Sequence, residues 1–211
     1  MPNTQTVPTH KIIAFIAFIC AALMASLFIY HSSQKHAQPV LSPDTGIVFS
    51  VPRDIKSFKL AGPNQQTFTE KNFLQHWTLV FFGFTHCSNV CPTTLEMISR
   101  AYPKLHETYP NLQVVLASVD PERDTPESLA KYTATFNPAF IGITGKLPEL
   151  RKLQGQLGVY SARDETGAAD NYQVQHTSSI MLINPKGQWV GLLKFGLKPD
   201  VFAQAVEIGI G

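Results

Sequence analysis

The chain has 211 residues, of which 44% are hydrophobic and 15% charged, and a formal net charge of +2. That length allows one ordinary domain plus appendages. A charge so near zero, with no basic stripe interleaved with aromatics, excludes nucleic acid as the expected partner.

Residues 1–10 are polar and hold no Lys or Arg. Ile12 to Tyr30 is then an apolar run of 19 residues, broken only by Ser26, without charge, Pro or Gly. It is long enough for one membrane-spanning helix. A cleaved signal peptide has a shorter apolar region, about 7–15 residues. A lipoprotein signal would set Cys20 after a small residue, and Ile19 stands there instead. The run therefore predicts an uncleaved anchor over 12–30 with a cytoplasmic N-terminus over 1–11. Lys11 and Lys35 flank it on opposite sides, so the positive-inside rule barely orients it. A mitochondrial transit peptide would be rich in Arg, yet the first is Arg53. A single-pass anchor in a bacterial inner membrane, with the domain facing the periplasm or cell exterior, is the expectation. Residues 31–50 hold Ser, Gln and Pro with little periodicity and read as a linker. His31 and His36 within it read as solvated juxtamembrane residues.

Residues 51–211 read as a compact domain large enough for a real core. Val51 to Ala61 and Gln66 to Thr69 suggest a first hairpin turning at Gly62-Pro63-Asn64. Leu79-Val80-Phe81-Phe82 is a short buried strand. Gly83 to Val90 reads as a loop. A helix opens near Cys91, with Pro92 in its first turn, and runs to about His106, Pro103 bending or breaking it. Leu112 to Val119 is a second buried strand, followed by a charged loop, Asp120 to Asp124. Thr125-Pro126 has the chemistry of an N-cap and first helical position, opening a helix to about Phe136. A short strand at Phe140 to Ile143 and a helix at Leu147 to Leu157 follow. Gly167 to Asp170 suggests a hairpin tip. Ser179 to Asn184 and Gln188 to Phe195 read as adjacent strands, and Pro199 starts a closing helix. This order predicts an α/β fold, a mixed sheet covered by helices.

The chemistry concentrates where a strand hands over to a helix. Cys87 and Cys91 are four residues apart. On helical backbone they would lie about 40° apart around the axis, on one side. A helix N-terminus favours thiolate over thiol. Two adjacent thiolates bind a soft metal ion or cycle between dithiol and disulfide. A structural disulfide is the plain alternative in an exported domain, but a bridge closing so short a loop would constrain the unfolded chain little.

Three strings then carry a resemblance: FFGFTHCSNVCPTTL, ASVDPERDTPESL and YQVQHTSSIMLINPKG. In that order, over roughly Val51 to Gly211, they resemble the Sco/SenC family. Those are membrane-anchored, thioredoxin-fold proteins that deliver copper to cytochrome c oxidase. The resemblance implies a thioredoxin-like domain, copper as the metal, and Cys87, Cys91 and His176 as its ligands. It implies the oxidase subunit bearing the CuA site as partner, with other copper chaperones as further partners. The chain departs from the family pattern twice. Pro usually follows the first Cys, where Ser88 stands. Asp usually precedes the His, where Gln175 stands. Neither change removes a ligand.

The donor types agree with that implication. Thiolates suit copper(I), and imidazole suits both copper states. In thioredoxin-like folds the segment before the SIMLIN strand faces the thiol helix, commonly with a cis-Pro; here His176 takes that place. Its plain alternative is a hydrogen-bonded loop or core histidine. Asp120 is expected as a residue behind the ligands or facing a partner, against the equal alternative of a salt-bridged turn capping the next helix. His86 reads as a solvent-facing loop residue, Cys20 as a small hydrophobe in the apolar run. Phe81, Phe82, Phe84, Trp77 and Trp189 read as core or hairpin packing.

Two rivals to the metallochaperone remain. One is a thiol–disulfide oxidoreductase with Cys87 and Cys91 as its redox pair; this activity coexists with copper loading, which needs reduced thiols. The other is a peroxiredoxin-like peroxidase, whose motif Ser88-x-x-Cys91 mimics only in part, since Phe84 stands where an upstream Pro is required.

Overall fold

The computed structural model describes residues 9–34, 41–164 and 172–211. The chain divides into two units, Met1–Val40 and Leu41–Gly211.

In the first unit, helix α1 spans Thr9–Gln34. It covers the apolar run read from the sequence. Phe15, Phe18, Ile19, Leu23, Met24, Leu27, Phe28 and Ile29 are all exposed on it. At about 100° per residue these positions spread around the whole axis, with no single apolar stripe. Among the described residues, no helix is long and apolar enough to cross a membrane.

The second unit contains, in chain order, β1 (Gly46–Asp54), β2 (Leu60–Ala61), β3 (Thr67–Phe68), β4 (Trp77–Gly83), α2 (Val90–Thr108), β5 (Leu112–Ser118), α3 (Pro126–Ala134) and β6 (Ile141–Ile143). Then come α4 (Leu147–Gln156), β7 (Ser161–Arg163), β8 (Val174–His176), β9 (Ile180–Ile183), β10 (Gln188–Leu193) and α5 (Pro199–Ile210). Six strands form one mixed sheet in the order β1-β10-β9-β4-β5-β6. Strands β4, β5 and β6 are parallel, while β9, β10 and β1 join antiparallel. Strand β4 lies inside this sheet, and Leu79 to Phe82 are fully buried. A run apolar on both faces is what an interior strand covered on both sides requires. Helices α2 and α5 pack together, and α2 buries Leu95, Ile98, Tyr102 and Leu105, the three- and four-residue spacing of one helix face.

Several expectations need correction. The linker read over 31–50 is too long at its distal end: the compact unit starts at Leu41, and β1 starts at Gly46. The polar residues up to Asp44 masked the apolar start of the strand, Ile47-Val48-Phe49, whose side chains are mostly exposed at the sheet edge. The first hairpin is shorter than read. Only β2 and β3 pair, around a 3-10 turn at Pro63–Gln65, while residues 51–54 belong to β1 and run along β10. Pro103 does not break α2. It is exposed, so its ring sits on the solvent side of the helix. The tip read at Gly167 to Asp170 lies outside the described residues. The strands on either side of it, β7 and β8, pair antiparallel with Ser161 opposite His176. The turn between β9 and β10 contains Gly187 at φ +76°, a conformation that disfavours side chains.

Candidate metal centre

The centre forms at the C-terminal end of β4. Its first residue, Cys87, lies in the loop before α2, as the reading of Gly83 to Val90 expects. The Cys87 amide donates back to the Phe84 carbonyl at 3.3 Å, closing a tight turn. Asn89, at the start of α2, supplies no side-chain cap. The Cys91 amide donates instead to Cys87 Sγ at 3.3 Å. The sulfur thus takes the place of a capping oxygen, where partial positive charge favours an anion.

Cys91 sits in the first turn of α2 and is fully buried. Its sulfur rests against the end of β4, where a Cβ on Gly83 would come within 2.9 Å of Sγ. The third donor, His176, ends β8 and is half-buried. Its Nδ1 lies 3.0 Å from the Thr177 carbonyl oxygen. A carbonyl only accepts, so Nδ1 carries the proton and Nε2 is left with its lone pair. That Nε2 is 3.5 Å from Cys91 Sγ. The rings of Phe81 and Phe84 meet the imidazole edge-on, with centroids at 5.9 and 6.1 Å. The donor atoms of Cys87, Cys91 and His176 all lie within 4.8 Å of one another. Among the described residues, no other three His, Cys, Asp or Glu side chains converge in this way.

The two sulfurs are free and unequal. Cys87 is held down to about 4, chiefly because the Cys91 thiol donates to its sulfur. Burial opposes this, while the Cys91 and Asn89 amides assist. Cys91 is pushed up for the complementary reasons: it keeps the proton it shares with Cys87, and it is buried. At neutral pH the pair is one thiolate and one thiol, with only Cys87 partly exposed. Two sulfurs and one nitrogen are a donor set for a soft or borderline cation. An open cleft of about 330 Å3, lined by Phe84, Cys87, Ser88, Asn89, Gln175 and His176, gives access to it.

Asp120 is placed differently from the three donors. It is buried and committed: Oδ2 accepts from Arg123 Nε at 2.5 Å, and Oδ1 accepts from the Tyr172 hydroxyl at 2.6 Å. Asp124, which immediately precedes the predicted helix cap Thr125, reads from sequence only as part of the charged loop. It is also buried, and it holds the thiol loop directly. Its Oδ1 accepts from the Thr85 hydroxyl at 2.6 Å and from the Thr85 amide at 3.2 Å; its Oδ2 accepts from Ser118 at 2.7 Å. Burial pushes its carboxyl up, and these bonds pull it back. Tyr172 was also missed. Its signal was present, because positions 172, 174 and 176 share parity and hence one face of extended chain. His86 is exposed and bonds Thr85, outside the donor cluster. Cys20 is exposed on α1. Phe81, Phe82, Phe84 and Trp189 are core, and Trp77 is half-buried.

Residues 51–210 match the SCO1/SenC family. This chain is a member of that family. It is 36% identical over 160 residues to a Stutzerimonas stutzeri protein named, provisionally, for copper binding; the match covers 74% of this chain and 78% of that one. It is 35% identical over 135 residues to the human mitochondrial SCO1 homolog, covering 63% of this chain and 45% of the human protein. The match thus spans about half of that mitochondrial relative. Two copper-bound Sco structures share the fold at a TM-score of 0.66 each. ScoI of Arabidopsis thaliana is 32% identical, with 72% of this chain and 94% of that one covered. ScoI of Bradyrhizobium japonicum is 31% identical, with 74% and 99% covered. The mixed sheet with its flanking helices is therefore the Sco fold.

Proposed function

We propose that this Sco-family chain is a membrane-anchored copper metallochaperone that delivers copper to the CuA site of cytochrome c oxidase. The observation that carries the reading is the convergence of two sulfurs and one bare imidazole nitrogen within 4.8 Å at the mouth of a cleft. Copper is the cargo that these donors suit in both oxidation states. The copper-bound relatives support the choice of metal, and family membership supports the oxidase as destination. Cys87 arrives as thiolate, Cys91 gives up one proton on loading, and His176 presents Nε2. Three donors leave one side open, where the partner's ligands take over the ion. Cys87, the exposed sulfur, is the first to exchange.

A second reading rests on the inequality of the thiols. An exposed thiolate in front of a buried thiol is the arrangement of a disulfide reductase. Cys87 attacks one sulfur of a partner disulfide and releases a partner thiolate. Cys91 then loses its proton and attacks Cys87, releasing the second partner thiol and leaving a Cys87–Cys91 disulfide. Such reduction would prepare the oxidase thiols for copper. The peroxidase reading has no comparable support, since Phe84 is buried where that motif requires Pro.

For location, we propose an anchor over residues 12–30 in a bacterial inner membrane, with residues 1–11 cytoplasmic and the domain outside. The support is the uncharged run of 19 residues and the apolar side chains exposed all round α1. Metal analysis of the reduced full-length protein in detergent tests the central claim. One copper per chain, lost on Cys87→Ser or Cys91→Ser, is expected. No copper retained by the reduced wild type would overturn it.

A further inference from the structure

The two cysteines and the histidine come from parts of the fold that no backbone ladder joins. Cys87 and Cys91 follow β4 of the main sheet. His176 ends β8, which pairs only with β7 in a separate two-stranded sheet. The main chain holds His176 near β4 only through residues 177–179, which lead into β9 opposite Phe81; beyond that, side chains fix the hairpin against the thiol loop. One anchor is Arg151, which reaches from α4 to the Ser161 carbonyl at 2.8 Å, on the strand opposite His176. It does not touch the thiol loop.

Arg123 touches both sides. Its Nη2 donates to the Tyr172 carbonyl at 3.1 Å, four residues before His176. Its guanidinium lies 3.6 Å from the Tyr172 ring centroid and 5.8 Å from that of Phe84. Phe84 is fully buried, opens the thiol loop, and meets the His176 ring edge-on. Nε is tied to Asp120, which also accepts the Tyr172 hydroxyl. With side chains 16% and 3% exposed, Arg123 and Asp120 form a nearly buried pair. A planar guanidinium can satisfy a carboxylate, a carbonyl and an aromatic face at once, which an ammonium cannot.

We propose that Arg123 is a positioning residue for the metal centre: bridging Asp120, Tyr172 and Phe84, it sets the distance of His176 Nε2 from the two sulfurs. This rests on the copper reading above. Asp120 is then the partner that fixes the direction of Arg123, acting on the metal through two intermediaries.

The test compares wild type, Arg123→Lys and Tyr172→Phe as full-length protein in detergent. Lysine keeps the charge beside Asp120 but loses the fork and the stack. Phenylalanine keeps the carbonyl and the ring. Arg123→Lys should lower copper(II) affinity roughly 10–100-fold, the usual cost of losing support behind a ligand. Copper(I), held by two sulfurs, should change little. Two copper-free readouts accompany this. Hydrogen exchange should rise at the β7 and β8 amides and stay unchanged in the six-stranded sheet. The imidazole nitrogen resonances of His176 should shift from one tautomer to a mixture. Tyr172→Phe, which removes only the hydroxyl bond to Asp120, should fall between wild type and Arg123→Lys in all three. Unchanged resonances and copper(II) affinity in Arg123→Lys overturn the proposal, as does exchange that rises evenly through the whole domain. If wild type holds no copper while the copper-free readouts respond as expected, the clamp stands and the copper reading falls.

Discussion

The sulfur of Cys91 lies 3.5 Å from Nε2 of His176, although 85 positions separate them in the chain. The contact gives the imidazole a bare nitrogen aimed at a soft donor. Copper(I) is satisfied by two thiolates, whereas copper(II) seeks nitrogen as well. His176→Ala should therefore weaken copper(II) more than copper(I), by at least about tenfold, or 1.4 kcal/mol. Competition titrations with chelators for each state measure this. Equal losses would show that the division of labour is wrong.

The thiols should titrate apart. Cys87 is lowered to about 4 from an ordinary 9.0, and the largest cause is the proton donated by Cys91. Site-resolved alkylation of Cys87, read by mass spectrometry, should be flat through neutral pH and fall with a midpoint near 4. Cys91→Ala removes the donor, so the midpoint should move up toward the ordinary thiol value. The sign for stability follows. The lowered Cys87 contributes in full above 9.0, and that contribution is lost as pH falls toward about 4. The raised Cys91 contributes below its ordinary value and loses it as pH climbs beyond. A Cys87 midpoint unchanged in Cys91→Ala would place the cause elsewhere.

Gly83 supplies a steric test. A methyl there would meet Cys91 Sγ at 2.9 Å, with Leu116 and Phe81 at 3.1 Å beyond. Gly83→Ala should cost about 1–3 kcal/mol by overpacking. It should also displace the buried sulfur, weakening copper in both oxidation states. Denaturant midpoints and copper titration check the two effects separately. Stability lost with copper affinity intact would mean that the sulfur has room to move.

Asp124 supplies the electrostatic counterpart. Asp124→Ala strands Thr85 and Ser118 without their acceptor, at a cost of about 1–3 kcal/mol for buried groups. Because Thr85 precedes Cys87 by two residues, alkylation of Cys87 should also respond. A stability loss with unchanged alkylation kinetics would confine Asp124 to a structural role.

How much of this was legible beforehand depends on the range of each interaction. The strand Leu79 to Phe82, the Thr125 cap and the Pro199 helix start are written in local chemistry, and the chain obeys it. The thiols were legible from their own chemistry at a strand–helix junction, whereas His176 entered through the family resemblance, since a lone histidine before an apolar strand does not announce a ligand. What lay beyond reach was long-range. Nothing around Asp120 announces that its carboxylate is spent on Arg123 and Tyr172. Nothing around Thr85 announces that Asp124 waits 39 positions later to hold it. Strand β1 escaped notice because its apolar residues, Ile47 to Phe49, directly follow a Ser- and Pro-bearing stretch and do not alternate with polar ones.

The last prediction separates delivery from reduction. Copper transfer draws on three donors, thiol exchange on two. His176→Ala should cripple copper loading of a CuA-type fragment while leaving much of the reduction of that fragment's disulfide. Cys87→Ser and Cys91→Ser should abolish both, since one sulfur neither holds copper(I) against competing thiols nor completes a disulfide. The difference follows from the thiol chemistry. Cys87 owes its thiolate first to Cys91, so removing the imidazole leaves the attacking group largely intact. Peroxide consumption serves as the third assay on the same variants. A peroxidase would oxidise one cysteine rapidly to sulfenic acid and ignore His176. Rapid peroxide turnover by wild type and His176→Ala, with copper transfer by neither, would overturn the metallochaperone reading. Normal copper transfer by His176→Ala with reduction lost would reverse the roles assigned here. The expected pattern keeps reduction and loses delivery, because the bare Nε2 faces the sulfurs and thiol exchange has no step that requires it.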